Sequence, residues 1–309
     1  MKSELTVAVL IPTYRPDKRF SRILSMLQRQ TYPVQQIVIM NTEESLWNKT
    51  GYEGIPGLEV HHVTREAFDH GKTRSLGMEY VQTDICVCMT QDAVPADERL
   101  IEQLVQGFQM ETEIPVAAVY ARQLPAPGCD AIERITREFN YPAKSRLKTK
   151  EDLPELGIKT YFCSNACAAY DMELYRRQGG FIQKTIFNED MIFAAGAIQA
   201  GLGICYASQA KVLHSHNYTA AEQLRRNFDL AVSQADHPEV FEDVPSEGEG
   251  IRMVKTTAME LWNTGHRHLL PKLVIHSGFK YLGYRLGRRY QSLPKSWIRK
   301  LTMNQNYWR

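Results

Sequence analysis

Leu5-Thr6-Val7-Ala8-Val9-Leu10-Ile11-Pro12 (residues 5–12, LTVAVLIP) is a continuous apolar, β-prone run closed by a proline. A strand without polar alternation is buried on both faces, which is the place of a central strand in a parallel sheet. The proline, which cannot donate to a ladder, ends the run. Beyond it, helix and strand alternate. Residues 17–30 (DKRFSRILSMLQRQ) space their apolar side chains at helical intervals behind Asp17, a residue type that caps helix N-termini. Gln36–Met40 reads as a second strand, Leu58–Val63 as a third and Lys72–Val81 as a helix, and Ile85–Thr90 is a fourth strand that breaks at Gln91-Asp92. Residues 97–110 read as helix and 115–121 as strand. This rhythm predicts an α/β, Rossmann-like domain with a mostly parallel central sheet and right-handed crossovers. Such sheets bind ligands at the carboxyl ends of their strands, and the polar clusters of this chain stand just after strands.

Further along, residues 140–160 are rich in Lys and Pro and read as a mobile loop or short insertion. YFCSNACAAYDMELYRRQGGF then predicts a strand, a turn and a short helix, and NEDMIFAAGAIQAGLGICYA an apolar helix ended by Gly201. Residues 222–234 read as helix, and 242–250, with Pro245, Gly248 and Gly250, as a linker. The expected organisation is a catalytic domain over 1–240 and a helical extension over 251–309.

The 309 residues carry a formal charge of +2, with 43% hydrophobic and 23% charged side chains, values that exclude a disordered, collagenous or disulfide-stapled chain. The near-neutral total hides an asymmetry. No Asp or Glu follows Glu260, whereas residues 261–309 hold ten of the 37 Lys and Arg, so an acidic body precedes a basic tail. Trp262, Phe279, Tyr281, Tyr284, Tyr290, Trp297, Tyr307 and Trp308 interleave with those cations. That mixture suits an anionic membrane surface, with nucleic acid as the competing polyanion and a solvated basic helix as the plain alternative. No run of about 18 apolar residues occurs, so no membrane span is expected. The start, MKSELTVAVLIPTYRP, has no small-residue cleavage site and reads as that of a mature cytosolic protein. The six Cys lack the paired spacing of a structural zinc site and read as reduced, buried thiols.

Five clusters carry chemistry. Ile11-Pro12-Thr13-Tyr14-Arg15-Pro16 can hold a nucleotide base and phosphate, or be a proline turn. In Phe68-Asp69-His70-Gly71-Lys72-Thr73-Arg74, Asp69 is a helix cap and Lys72 and Arg74 can face an anion. Met89-Thr90-Gln91-Asp92-Ala93 brings a carboxylate out of a buried strand, which needs a partner: a divalent cation shared with a diphosphate, or the following turn to cap. Asn188-Glu189-Asp190 either caps an apolar helix or supplies a general base whose neighbour raises its proton affinity. Were Val212-Leu213-His214-Ser215-His216 a strand, His214 and His216 would share one face; they either ligate a metal, contact phosphate or fill structural roles.

Taken in order, V-x-IPTY, FDHGKTRSLG, TQDA, NED and H-x-H resemble an inverting family-2 glycosyltransferase on the GT-A fold, over roughly residues 5–220. FDHGKTR and MTQDA resemble in particular the bacterial rhamnosyltransferase branch, which uses dTDP-L-rhamnose to build cell-wall or O-antigen polysaccharide. The resemblance implies that Pro12, Thr13, Tyr14 and Arg15 line the nucleotide site, completed by Asp69, Lys72 and Arg74. It also implies that Asp92 binds Mg2+ or Mn2+, with Gln91 near the ribose and His214 or His216 as a further metal or diphosphate contact. Asp190 would be the catalytic base and Glu189 its neighbour. The family often has Asp after the second strand to read the base; here Asn41 stands there, offering both a donor and an acceptor. The implied partners are a nucleotide-sugar donor, a polyprenyl-diphosphate-linked glycan acceptor and the anionic inner face of the cell membrane, not nucleic acid, with room for an oligomer. The alternatives are a UDP-hexose-dependent transferase and, from another class, a sugar nucleotidyltransferase. The latter wants a glycine-rich cationic loop after the first strand, which Thr13-Tyr14-Arg15-Pro16 does not supply.

Overall fold

A computed structural model describes residues 4–244 and 247–308. In chain order the strands and helices begin with β1 (Val7–Thr13), α1 (Lys18–Gln28), β2 (Gln36–Thr42), β3 (Leu58–Val63), α2 (His70–Glu79), β4 (Ile85–Met89), β5 (Val94–Pro95), α3 (Leu100–Phe108) and β6 (Val116–Leu124). There follow α4 (Ala131–Asn140), β7 (Arg146–Lys148), α5 (Leu153–Leu156), β8 (Cys167–Asp171), α6 (Met172–Arg177), α7 (Glu189–Gln199) and β9 (Gly203–Leu213). The rest is helical: α8 (Ala220–Asp236), α9 (Pro238–Phe241), α10 (Glu247–Asn263), α11 (Leu270–Gly287) and α12 (Lys295–Leu301).

The sheet runs β3-β2-β1-β4-β8-β6-β9-β5, with β7 also on β9. β3, β2, β1, β4, β6 and β9 share one direction, and β8 runs against its neighbours β4 and β6. The apolar run of β1 lies between β2 and β4 and is buried from Val7 to Ile11, as its lack of alternation requires. The Asp17 carboxylate accepts the Arg19 N–H at 2.8 Å and caps α1, which turns Phe20, Ile23, Leu24 and Leu27 into the core.

Two compact units emerge. One gathers the whole sheet with α1–α3, α5, α6 and α7 (residues 1–124, 142–184 and 189–214). The other consists of residues 125–141, 185–188 and 215–309, so α4 and α8 join the C-terminal helices in a unit that reaches back before the basic tail. Its α8 and α11 approach closely: a Cβ at Gly283 or Gly287 of α11 would fall on the main-chain carbonyls of Leu224 or Phe228. Cores at Ile132, Ile135, Leu261 and Leu273, and at Ile186, Phe228, Val232 and Ile298, hold this unit together.

Two local expectations need correction. The 140–160 stretch is ordered structure: β7 pairs with β9, and Lys148 is buried, donating to the carbonyls of Lys159 and Phe162 beneath the Tyr120 ring. Its burial brings the Lys148 ammonium down to about 7. The supposed linker contains the first turn of α10, so Gly248 and Gly250 are helical, while Pro245 lies outside the described residues. The six thiols are free, five of them buried.

Candidate active site

The carboxyl edge of the sheet collects the polar clusters because β1, β2, β4, β6 and β9 end there and β8 begins there. At the end of β1 the chain turns through Arg15 with φ of 51°, and after β2 through Glu43 with φ of 68°. Left-handed backbone at residues other than glycine costs energy and is kept where the surroundings hold a loop in place. Gln91 holds the first loop. Its Oε1 accepts the Tyr14 N–H at 2.9 Å and its Nε2 donates to the Tyr14 carbonyl at 3.0 Å. Asn41 holds the second: buried, it accepts from Thr13 Oγ1 at 3.2 Å, donates to the Glu43 carbonyl at 2.9 Å and faces His62 Nδ1 at 3.0 Å. Both amides tie these loops to the strand ends. The Tyr14 ring carries the guanidinium of Arg15 on one approach and that of Arg65 on another, at 5.2 and 5.9 Å from its centroid.

Asp69 caps α2, accepting the N–H groups of Gly71 and Lys72 at 2.9 and 3.1 Å, and Lys72 is exposed. One turn on, Arg74 is buried, and its Nη1 meets Glu189 Oε1 at 2.8 Å with both side chains less than a tenth exposed. Arg74 Nε is buried without a hydrogen-bond partner. Asn165, in the turn before β8, completes the arrangement: its Nδ2 donates to Glu189 Oε1 at 3.1 Å and its N–H to Asp190 Oδ2 at 2.8 Å. Asp190 Oδ1 accepts the Met191 N–H at 2.8 Å. Tyr170 fixes Asn165 in turn, donating to its Oδ1 at 2.7 Å.

These neighbours divide the two carboxylates. Burial alone would push Glu189 up, but Arg74, His70 and Asn165 outweigh it and hold Glu189 below the usual carboxylate range. Asp190, half-buried, loses hydration and feels the Glu189 charge; the two main-chain hydrogen bonds only partly offset this, and its carboxyl is raised to about 7. A carboxylate poised near neutrality is suited to general-base catalysis, and Glu189, already committed to Arg74, is not.

At the ends of β4 and β9, Asp92 Oδ1 lies 3.6 Å from His214 Nε2. His214 Nδ1 faces Gln123 Oε1 at 2.8 Å, and Gln123 Nε2 donates to Ser164 Oγ at 2.9 Å. With the Nδ1 proton directed at Gln123, the Nε2 lone pair faces the Asp92 carboxylate. Two ligands at about 2.1 Å from one ion lie about 3.0–3.6 Å apart, so this oxygen and nitrogen pair fits a divalent cation. His216 stacks on Tyr218 with ring centroids 4.9 Å apart. Asn165, Gln123, Ser164 and Arg65 have no motif signal; an Asn or Gln next to an apolar strand looks the same in sequence whether it faces solvent or fixes a catalytic side chain.

The description "Glycosyl transferase family 2" matches residues 8–179. The O-antigen chain rhamnosyltransferase RfbN of Salmonella typhimurium is 34% identical over 306 residues, 98% of this chain and 96% of that protein. WbaN of Salmonella anatum, described in the same words, is 34% identical over 303 residues, 97% and 95% of the two chains. Among solved structures, mannosyltransferase PcManGT of Pyrobaculum calidifontis with GDP-Man and Mn2+ aligns with a TM-score of 0.64 at 15% identity, covering 94% of this chain and 89% of its own. S. aureus TarS 1-349 with UDP-GlcNAc aligns at 0.52 and 14% identity, covering 93% and 91%. These two share the fold. With the family match over more than half the chain and relatives that span nearly all of it, the protein belongs to glycosyl transferase family 2 and is a glycosyltransferase.

Proposed function

We propose that this glycosyltransferase moves L-rhamnose from dTDP-L-rhamnose onto a polyprenyl-diphosphate-linked glycan in O-antigen or cell-wall polysaccharide synthesis, with inversion at the anomeric carbon. The donor sugar is supported by the two relatives named as O-antigen chain rhamnosyltransferases. The observation that carries the chemistry is Asp190, a half-buried carboxyl raised to about 7 beside a Glu189 locked to Arg74.

In this reading Tyr14 offers a face to the thymine while Arg15, Arg65 and Arg74 meet the diphosphate, the unsatisfied Arg74 Nε being a donor ready for it. Asp92 and His214 hold Mg2+ or Mn2+, with His216, two residues further along, as a third donor. When bound, the cation neutralises charge developing on the departing nucleoside diphosphate. Asp190 takes the proton of the acceptor hydroxyl, whose oxygen bonds to the anomeric carbon as the bond to the diphosphate breaks on the opposite face. The sugar passes through an oxocarbenium-like state, as in glycoside hydrolysis. Glu189 acts through Asp190 by keeping it basic.

The enzyme works in the cytoplasm as a peripheral protein on the inner membrane face. No helix among the described residues is long and apolar enough to cross a membrane. The large hydrophobics left exposed among them, including Trp262, Val274, Ile275, Tyr281 and Trp297, all lie between Ile251 and Met303, with Arg285, Arg288 and Arg289 exposed among them. Reversing those three arginines to Glu is expected to release the protein from phosphatidylglycerol vesicles; unchanged co-sedimentation would remove the membrane role.

Donor choice is tested by calorimetry with dTDP-L-rhamnose, UDP-glucose, UDP-galactose and UDP-N-acetylglucosamine, each with Mn2+. Selective binding of dTDP-L-rhamnose is expected. Preference for a UDP-sugar would move the substrate, and binding of none would contradict the donor site.

A further inference from the structure

Asn165 is buried in the turn before β8, and its side-chain amide and its N–H are all engaged. Its Nδ2 donates to Glu189 Oε1 at 3.1 Å, its Oδ1 accepts from the Tyr170 hydroxyl at 2.7 Å, and its N–H meets Asp190 Oδ2 at 2.8 Å. The amide has one workable orientation. Turned over, its oxygen would face the Glu189 carboxylate, two acceptors with no proton between them. The donors therefore run one way, from Tyr170 through Asn165 to Glu189, which Arg74 Nη1 meets at 2.8 Å. An apolar side chain at 165 would leave the Tyr170 hydroxyl only the Cys163 thiol, at 3.8 Å. A carboxylate there would set a third negative charge beside Glu189 and Asp190.

The same turn is fastened to the ends of the strands that carry Asp92 and His214. Ser164 Oγ accepts from Gln123 Nε2 at 2.9 Å, and Gln123 Oε1 faces His214 Nδ1 at 2.8 Å. The Ala166 carbonyl accepts the N–H of Thr90, two residues before Asp92, at 3.3 Å. The Cys167 N–H closes the turn on the Ser164 carbonyl at 3.1 Å, and Lys148 donates to the Phe162 carbonyl just before it. All of these residues belong to the sheet unit. One peptide link thus joins the side chain that supports the partner of His214 to the residue that holds Asp190. Backbone, rather than flexible side chains, sets the spacing of these two parts.

We infer that this turn is the positioning element of the transfer reaction: Asn165 holds the Asp190 carboxylate in place for the acceptor proton, and Ser164, through Gln123, holds the His214 ring toward the cation. Both roles rest on the function proposed above. The ionisable groups around Asp190 are Glu189 on its own helix, Arg74 and, beyond Glu189, His70 of α2, and Cys163 and Tyr170 on either side of Asn165. Burial and the Asp190 charge push the Cys163 thiol up to about 12 and raise the Tyr170 phenol, so both stay neutral. The Asn165 N–H favours the ionised form of Asp190, so slackening the turn should raise that carboxyl and move the acid limb of kcat/KM to higher pH.

Carboxyl-13C aspartate NMR of the full chain reads Asp190 without turnover, as the signal titrating near 7 that Asp190→Asn lacks. In Asn165→Ala that signal is expected to titrate at higher pH, with transfer slower by about tenfold or more and a donor Kd close to that of the wild type. Tyr170→Phe keeps the core filled and should move the signal the same way by less, a second reading should Asn165→Ala fail to fold. Ser164→Ala is expected to weaken Mn2+ binding and leave the Asp190 signal in place. A turn that serves folding alone would lower the melting temperature of all three without dividing the readouts in this way. A signal that stays in place in both Asn165→Ala and Tyr170→Phe would overturn the role of Asn165 and leave the base standing, and an unchanged Mn2+ affinity in Ser164→Ala would overturn that of Ser164. A wild type with no such signal would remove the base, and the role of Asn165 with it.

Discussion

Replacing Glu189 by Gln isolates the charge that tunes Asp190, the proposed base. The amide keeps the shape, and its oxygen can still accept from Arg74 Nη1 and Asn165 Nδ2, which meet Glu189 Oε1 at 2.8 and 3.1 Å. What disappears is one negative charge beside Asp190, and what remains is a buried guanidinium with no opposing charge. Both changes favour the ionised form of Asp190, whose carboxyl is held at about 7 by burial and then by Glu189. The acid limb of kcat/KM, set by a base that must be ionised, should therefore move to lower pH by about one unit or more, each unit being about 1.4 kcal/mol. Arg74→Met should move the limb the other way, since it removes the charge that opposes protonation of both carboxyls. A base made weaker by Glu189→Gln also accepts the proton less well, so the plateau rate should fall. The folded state suffers too: removing one partner of a buried pair costs up to about 3–5 kcal/mol, less here because the hydrogen bonds survive. Initial rates measured across the neutral range, with thermal melts alongside, read both effects. An acid limb that stays in place in Glu189→Gln, in a folded protein, would show that the limb belongs to a group other than Asp190.

The cation site gives a second prediction. Gln123→Leu removes the partner that fixes the His214 ring, and loss of such a support weakens metal affinity by about 10–100-fold. Mn2+ titration of the folded variant should show that loss, with a deeper one in Asp92→Ala, and an unchanged affinity would mean that His214 is not a ligand.

Much of the fold was legible because buried parallel strands and capped amphipathic helices announce themselves. LTVAVLI, Asp17 before α1 and Asp69 before α2 behave in three dimensions as their types require. The direction of β8 was not legible, since an apolar run such as Cys167–Asp171 reads alike whichever way it enters the sheet. Lys148 was hidden for the opposite reason: a Lys- and Pro-rich stretch signals solvent, yet main-chain carbonyls and an aromatic ring satisfy this one ammonium inside. The same limit applies to the site. The carboxylates and histidines stood out because few structural roles demand them after strands. Gln91 and Asn41 carried the right chemistry for a ligand, but their amides are taken up by Tyr14 and Thr13, a commitment visible only once the β1, β2 and β4 ends are side by side. Asn165, which touches both members of the Glu189–Asp190 pair, has no spacing that would reveal it.

In the proposed reaction Asp190 removes the acceptor proton, and Asp190→Asn removes that base while keeping its shape. The amide places an N–H₂ against one of the main-chain N–H groups of Asn165 and Met191 that Asp190 now accepts, at a stability cost of about 1–3 kcal/mol. Donor affinity is therefore measured on the folded variant beside single-turnover sugar transfer. A dTDP-L-rhamnose Kd close to that of the wild type is expected, with a transfer rate lower by about 10²–10⁴-fold, the contribution of a positioned general base. Transfer at close to the wild-type rate, or loss of donor binding with the fold intact, would contradict that role of Asp190.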